Sequence, residues 1–167
     1  MLTSDTAFDV EERNPLEIVE QVLSARDWTF ERRGEDELAV EVPGRWCDYG
    51  AFFALAPELE TLHISCALDM RVPEPRRQAV AELLAIANEK LWIGHFALWA
   101  DEGLPMFRYS LMLGADLNLG ADRLEALIDV AVGECERFYP AFQYVIWGGK
   151  SAVEAVEAAM LDTQGEA

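Results

Sequence analysis

The chain has 167 residues, 51% of them hydrophobic and 26% charged, which suits one domain with a core of ordinary size. Acids outnumber bases 31 to 13, a net charge of -18. Such a surface repels phosphate backbones and anionic lipid heads, so nucleic acid and membrane surfaces are disfavoured as partners. Positively charged protein segments are the natural partners of that charge, and plain solubility is the reading without a partner.

Residues 1–13 are polar and acidic, with Phe8 and Val10 as apolar anchors, and are expected to form a flexible arm before a single domain at 14–161. No basic, apolar leader opens the chain and no run of about 18 apolar residues occurs, so a cytoplasmic home is expected. Asn14-Pro15 is a helix start, because Asn can cap and Pro fits the first helical position. Leu16, Val19, Val22 and Leu23 then share one stripe, and this helix should end near Ala25.

Alternation predicts a meander of strands after it. Trp28, Phe30 and Arg32 begin it, and Leu38, Val40 and Val42 return after a turn at Gly34-Glu35-Asp36. Tyr49 to Ala56 reads as a third strand, apolar on both faces. Leu62 to Met70 reads as a fourth, alternating with Thr61, His63, Ser65, Ala67 and Asp69. A long second helix is expected from about Arg76 to Trp92, with Val80, Leu83, Leu84, Ala87 and Leu91 on its apolar stripe.

The stretch from Gly94 to Leu111 reads as a hairpin. With Glu102-Gly103 as its two loop residues, Trp99 would face Met106, Ala97 would face Arg108, and His95 would face Ser110. Leu98 would pair with Phe107, and Phe96 with Tyr109, on the core face. Trp99 would then stand diagonal to Arg108, close enough for a cation–π contact. Gly114 to Gly120 is a loop. A third main helix runs from Ala121 to about Tyr139, with a kink or restart at Pro140. Ser151 and Glu154 predict a capping box for a short last helix, Ala152 to Leu161, before a disordered tail at 162–167. The fold class is therefore α+β: an antiparallel sheet of about five to six strands with three main helices, in the order α-β-β-β-β-α-β-β-α.

Chemistry is sparse. Cys47, Cys66 and Cys135 form no CxxC or CxxH and are read as small buried hydrophobes. His63 and Cys66 lie three apart on a strand and should point to opposite faces, so with His95 and Cys47 they make a poor zinc set. Gly114 to Gly120 has no lysine and no GxGxxG, so it is not read as a phosphate loop. The acidic pairs Glu11-Glu12 and Asp101-Glu102 are solvated charge. No catalytic residue, metal or cofactor is expected. A single sheet cannot bury both faces in one subunit unless helices cover both, so the second face is expected to meet a partner or a second copy.

Three local patterns add to this. They are Asn88-Glu89-Lys90-Leu91-Trp92-Ile93-Gly94-His95-Phe96, then Asp101-Glu102-Gly103 leading to Phe107-Arg108-Tyr109, then Tyr139-Pro140 followed by Trp147-Gly148-Gly149-Lys150-Ser151. In order and spacing, over about residues 14–161, the chain resembles the YbjN family. Ala152 and Val153 stand where that family usually has Pro and Glu. The resemblance implies a fold similar to type III secretion chaperones, which are small, acidic and dimeric. It carries no catalytic residues.

The expected function is a non-enzymatic, protein-binding adaptor, chaperone-like or regulatory. It would hold an extended basic-apolar client segment on a surface of Trp99, Met106 and Arg108 with Trp46 and Phe52, as a homodimer. The alternative is a small-molecule sensor with a pocket between the sheet and the third helix.

Overall fold

The computed structural model describes residues 14–115 and 118–164, with side chains described through Leu161. Residues 1–13 and 165–167, on which the expected arm and the second half of the expected tail fall, lie outside them. The elements are α1 (Pro15–Ala25), β1 (Phe30–Arg32), β2 (Glu37–Pro43), β3 (Asp48–Ala56), β4 (Thr61–Ala67), α2 (Arg77–Glu89), β5 (His95–Trp99), β6 (Leu104–Met112), α3 (Ala121–Ile146) and α4 (Ala152–Gln164). The six strands form one antiparallel sheet in the order β1-β2-β3-β4-β6-β5. The fold is α+β, with α4 following the expected order of elements.

Local chemistry sets the start of α1. The Asn14 side chain accepts a hydrogen bond from the Leu16 N–H at 2.9 Å, and Pro15 occupies the first turn. Alternation then divides the sheet. Leu38, Val40, Val42, Tyr49, Phe53, Leu62, Ile64, Cys66 and Phe107 all point to one face and are buried. Helices cover that inner face. Phe96 meets Phe138 and Phe142 of α3 edge-on, at 5.4 and 5.5 Å between ring centres. The Cys135 thiol of α3 lies against the Cys66 carbonyl of β4. Helix α4 packs on α2 and α3 and contributes Ala152, Ala155, Val156 and Ala159 to the same core.

Several expectations are corrected. The β5–β6 register is Trp99 opposite Leu104, Ala97 opposite Met106 and His95 opposite Arg108. The loop is therefore Ala100 to Gly103, not Glu102-Gly103 alone. Gly103 is left-handed there (φ 64), and its carbonyl takes the Val72 N–H at 2.7 Å, so a neighbouring segment fixes the loop. The shift is an even number of residues, so each side chain keeps its predicted face. Trp99 and Arg108 do not meet as a cation–π pair. Strand β4 stops at Ala67, although Leu68 and Met70 stay buried. Helix α2 ends at Glu89, short of Trp92, because the Asn88 side chain turns to the next strand. Its amide donates to the Phe96 carbonyl (3.0 Å) and accepts the Phe96 N–H (2.7 Å).

Helix α3 runs unbroken through Pro140 for 26 residues. A proline there removes the N–H that would bond the Glu136 carbonyl. The Trp46 indole N–H supplies the missing donor at 3.2 Å. Helix α4 continues to Gln164, past the expected end at Leu161.

Candidate functional site: the open face of the sheet

The alternation that buries one face of the sheet exposes the other. Two cross-strand rows define it. The first is Glu31, Ala39, Phe52, Ser65, Arg108 and His95, and the second is Glu41, Gly50, Ala67, Met106 and Ala97. Leu104 and Trp99 stand opposite each other beyond the second row. Small side chains at Ala39, Gly50, Ser65, Ala67 and Ala97 keep the floor low. Phe52, Met106, Leu104, Trp99, Arg33 and Arg108 stand around it. The result is a groove of about 710 Å³ on the face that none of the described helices covers.

Of the five residues expected to bind a partner, four line this groove: Phe52, Trp99, Met106 and Arg108. Trp46 does not. It lies in the turn between β2 and β3, stacked on Tyr139 of α3 at 6.2 Å with its rings nearly parallel. Tyr49 and the Arg45 N–H bond the two oxygens of the Glu136 carboxylate, at 2.7 and 2.6 Å. Burial, and then the bond to Glu136, push the Tyr49 phenol far above its ordinary value, so it stays a donor. This cluster ties the β2–β3 turn to α3. Trp46 is exposed, but its indole N–H is held by the Glu136 carbonyl that Pro140 leaves free, away from the groove.

The groove is locally basic in an acidic protein. Its ionisable lining is Arg33, His63 and Arg108, with no carboxylate among the lining residues. His95 lies across from Arg108 in the register. Arg33 is 3.7 Å from Glu31, and no described carboxylate pairs with Arg108. Glu37 and Glu41 share the outer face, at its β2 side. Burial lowers the His63 pKa, and the charges of Arg108 and His95 lower it further.

His63 Nδ1 and Ser110 Oγ are 2.9 Å apart, a cross-strand pair with the outline of a base and a nucleophile. Its electrostatics oppose that role. A catalytic base must hold the proton it takes, and a triad carboxylate stabilises the imidazolium. Here the charged neighbours of His63 are cationic. Among the described residues, no three or more of His, Cys, Asp and Glu gather as metal ligands.

The sheet also separates the histidines from Cys66, which points inward to Cys135. The Cys135 thiol is held well above its ordinary value, first by its hydrogen bond with Cys66 and then by burial. Burial also raises Cys47, which is half-buried. Protonated thiols of this kind are poor nucleophiles.

The pocket expected between the sheet and the third helix is filled. Leu23, Trp28, Phe53, Ile128 and Val132 are among the side chains around a void of about 10 Å³ there. That is room for one water, not a ligand.

Sequence reasoning passed over Ala39, Gly50, Ser65, Ala67 and Ala97 because small residues carry no chemistry of their own. Their signal was positional: small residues recur at the outward positions of successive strands, where a solvated face would carry charge.

The chain was compared with known proteins. The sequence profile of the YbjN family, described as "Putative bacterial sensory transduction regulator", matches residues 15–144. The chain belongs to that family. No curated protein matches it. Among solved structures it is similar to the crystal structure of YbjN from E. coli, described as "a putative transcription regulator". The TM-score is 0.53 at 12% identity, covering 88% of this chain and 93% of that one. At that identity the likeness speaks for the fold.

Proposed function

We propose that this YbjN-family chain is a non-enzymatic regulatory adaptor whose open sheet face receives a segment of another protein. One observation carries the reading: every described helix lies on the inner face, while among the described residues the outer face keeps an uncovered groove with Trp99, Met106, Leu104 and Phe52 around it. An apolar concavity rimmed by polar side chains is how soluble proteins present a docking surface. The regulatory description of the family supports this reading. A cytoplasmic setting belongs to the proposal and suits three unpaired cysteines. A homodimer that left the groove open would need another surface, and Trp147, Val153 and Leu161 are exposed apolar side chains on the helical side.

Site-directed photo-crosslinking in cells tests this. A photoreactive residue at position 106 should trap a discrete partner, and one at position 147 should not trap the same protein. The trapped protein, once purified, should bind the wild type and lose about tenfold or more of its affinity for the Trp99→Ala, Arg108→Glu double variant. Equal trapping from both positions, or equal affinity for the folded double variant, would sink the proposal.

A further inference from the structure

Resting on that docking reading, we infer that the occupant of the groove is an acidic amphipathic helix of a partner protein, not an extended or basic segment. Two features carry this: the hydrogen-bonding state of the groove floor and the sign of its charges.

The floor is built from β3, β4 and β6. Strand β3 is paired on both sides by β2 and β4, and β4 by β3 and β6. Strand β6 is paired by β4 from Met106 to Met112 and by β5 from Leu104 to Arg108. The floor therefore offers few main-chain donors or acceptors. The polar side chains lining the groove are Arg33, His63, Ser65 and Arg108. An extended segment laid across it would bring two main-chain polar groups per residue into an apolar concavity and leave most of them unpaired.

Joining the sheet edge does not solve this. Pairing with an edge strand extends the sheet sideways and does not fill the groove. The β5 edge is also closed at Phe96, whose N–H and C=O are both taken by Asn88. Strand β1, the other edge, is three residues long. A helix satisfies its own main chain and can bring a single apolar stripe to the floor. The low stretch at Gly50 and Ala67 lets it approach, and Met106, Leu104 and Trp99 can close on its side.

Charge selects among helices. The chain as a whole would favour a basic partner, but an exposed charge acts over only about 8 Å at physiological ionic strength. Within that range the groove presents the cations Arg33 and Arg108, while the lowered pKa of His63 leaves its imidazole neutral near pH 7. The nearby acids are Glu31, which faces Arg33, Glu37 and Glu41 at the β2 side, Asp48 at the outward start of β3, and Asp101 and Glu102 in the loop beyond Trp99, and none of them lines the groove itself. Carboxylates flanking the apolar stripe of a helix would meet Arg108, which has no carboxylate partner among the described residues.

The test uses the full chain and a panel of synthetic amphipathic peptides of about five helical turns. Each peptide is made in three matched forms: one with Glu flanking the Leu stripe, one with Lys in place of every Glu, and one Glu form with two central Pro. Binding is read by fluorescence anisotropy at physiological salt. The Glu form is expected to bind about tenfold or more tighter than either other form. Arg108→Glu should reverse the preference towards Lys. Ala67→Trp should abolish binding. Each variant is first shown to keep the wild-type unfolding midpoint.

Equal or tighter binding of the Lys form overturns the acidic assignment. Equal binding of the Pro form overturns the helix. Either result leaves the docking reading standing. Binding of the Glu form only when Phe8→Ser is introduced would make the chain's own acidic residues 1–13 the occupant and overturn the assignment to a partner. Protein that is dimeric as wild type but monomeric as Arg108→Glu would make a second copy the occupant, with the same consequence. If no form binds, the inference fails, and the docking reading is judged by the crosslinking result alone.

Discussion

The inner and outer faces of the sheet come from alternate residues of the same strands, one position apart. Inward rows read Leu38, Phe53, Ile64, Tyr109 and Val40, Ala51, Cys66, Phe107, Phe96. Outward rows read Ala39, Phe52, Ser65, Arg108 and Gly50, Ala67, Met106, Ala97. The inner face has large side chains that interlock with helices. The outer face has small ones walled by a few large ones. An ordinary solvated face would alternate charged and β-branched residues, as Glu31, Glu37 and Glu41 do at its margin. The contrast shows that exposure alone does not mark a surface as inert. Volume distribution separates a face shaped to receive something from one shaped to meet water.

The contrast can be broken most sharply by truncation. Phe107→Ala empties a fully buried site beside Phe96 and should cost about 3–5 kcal/mol. Phe52→Ala, on the outer face, should cost less than about 1 kcal/mol. Urea unfolding of the two variants compares them, and similar losses would mean that the outer face is covered in solution.

Next in size is the lock between the β2–β3 turn and α3. Tyr49→Phe removes the hydroxyl that donates to the Glu136 carboxylate, with an expected loss of about 1.5–3 kcal/mol. Thermal unfolding checks this, and an unchanged midpoint would show that the cluster is not a structural tie.

A pair of glycines sharpens the comparison further. At Gly94, with φ of 72, a Cβ would sit 2.3 Å from the Phe107 ring, so Gly94→Ala should cost more than about 1 kcal/mol. At Gly50 a Cβ meets nothing within 4 Å, so Gly50→Ala should stay within about 0.5 kcal/mol of wild type. Equal losses would argue against an open floor.

The smallest effect is one of pH. The His63 pKa in the folded state lies below its ordinary value of 6.5, so between those two values the unfolded chain binds more protons. Stability should therefore decline as pH falls from about 6.5 towards the folded pKa, and the contribution should be absent at pH 8. His63→Gln should flatten that slope in urea titrations at pH 5.5 to 8. An unchanged slope would place the acid sensitivity elsewhere.

Much of this was legible in the chain itself. Asn14-Pro15 and the stripe to Leu23 specify α1, because capping and helical periodicity act over a few residues. The core positions of the strands were legible for the same reason. The hairpin register was not, because Val72, far from the turn in sequence, holds the Gly103 carbonyl. The restart expected at Pro140 does not occur in α3, and the donor that compensates for the proline belongs to Trp46. The groove was half visible: Phe52, Trp99, Met106 and Arg108 stood out by type, while the small residues of its floor gained meaning only when four strands lay side by side.

By itself the sequence determined the element types, the two-residue parity that sorts side chains between the faces, and the net charge, all of which follow from local geometry or composition. Only the tertiary structure decided that every described helix would cover the same face and that Arg33 and Arg108 would share a groove on the other with no carboxylate lining it. Those outcomes depend on which distant residues become neighbours, and packing volumes and cross-strand pairing settle that only once the sheet is assembled.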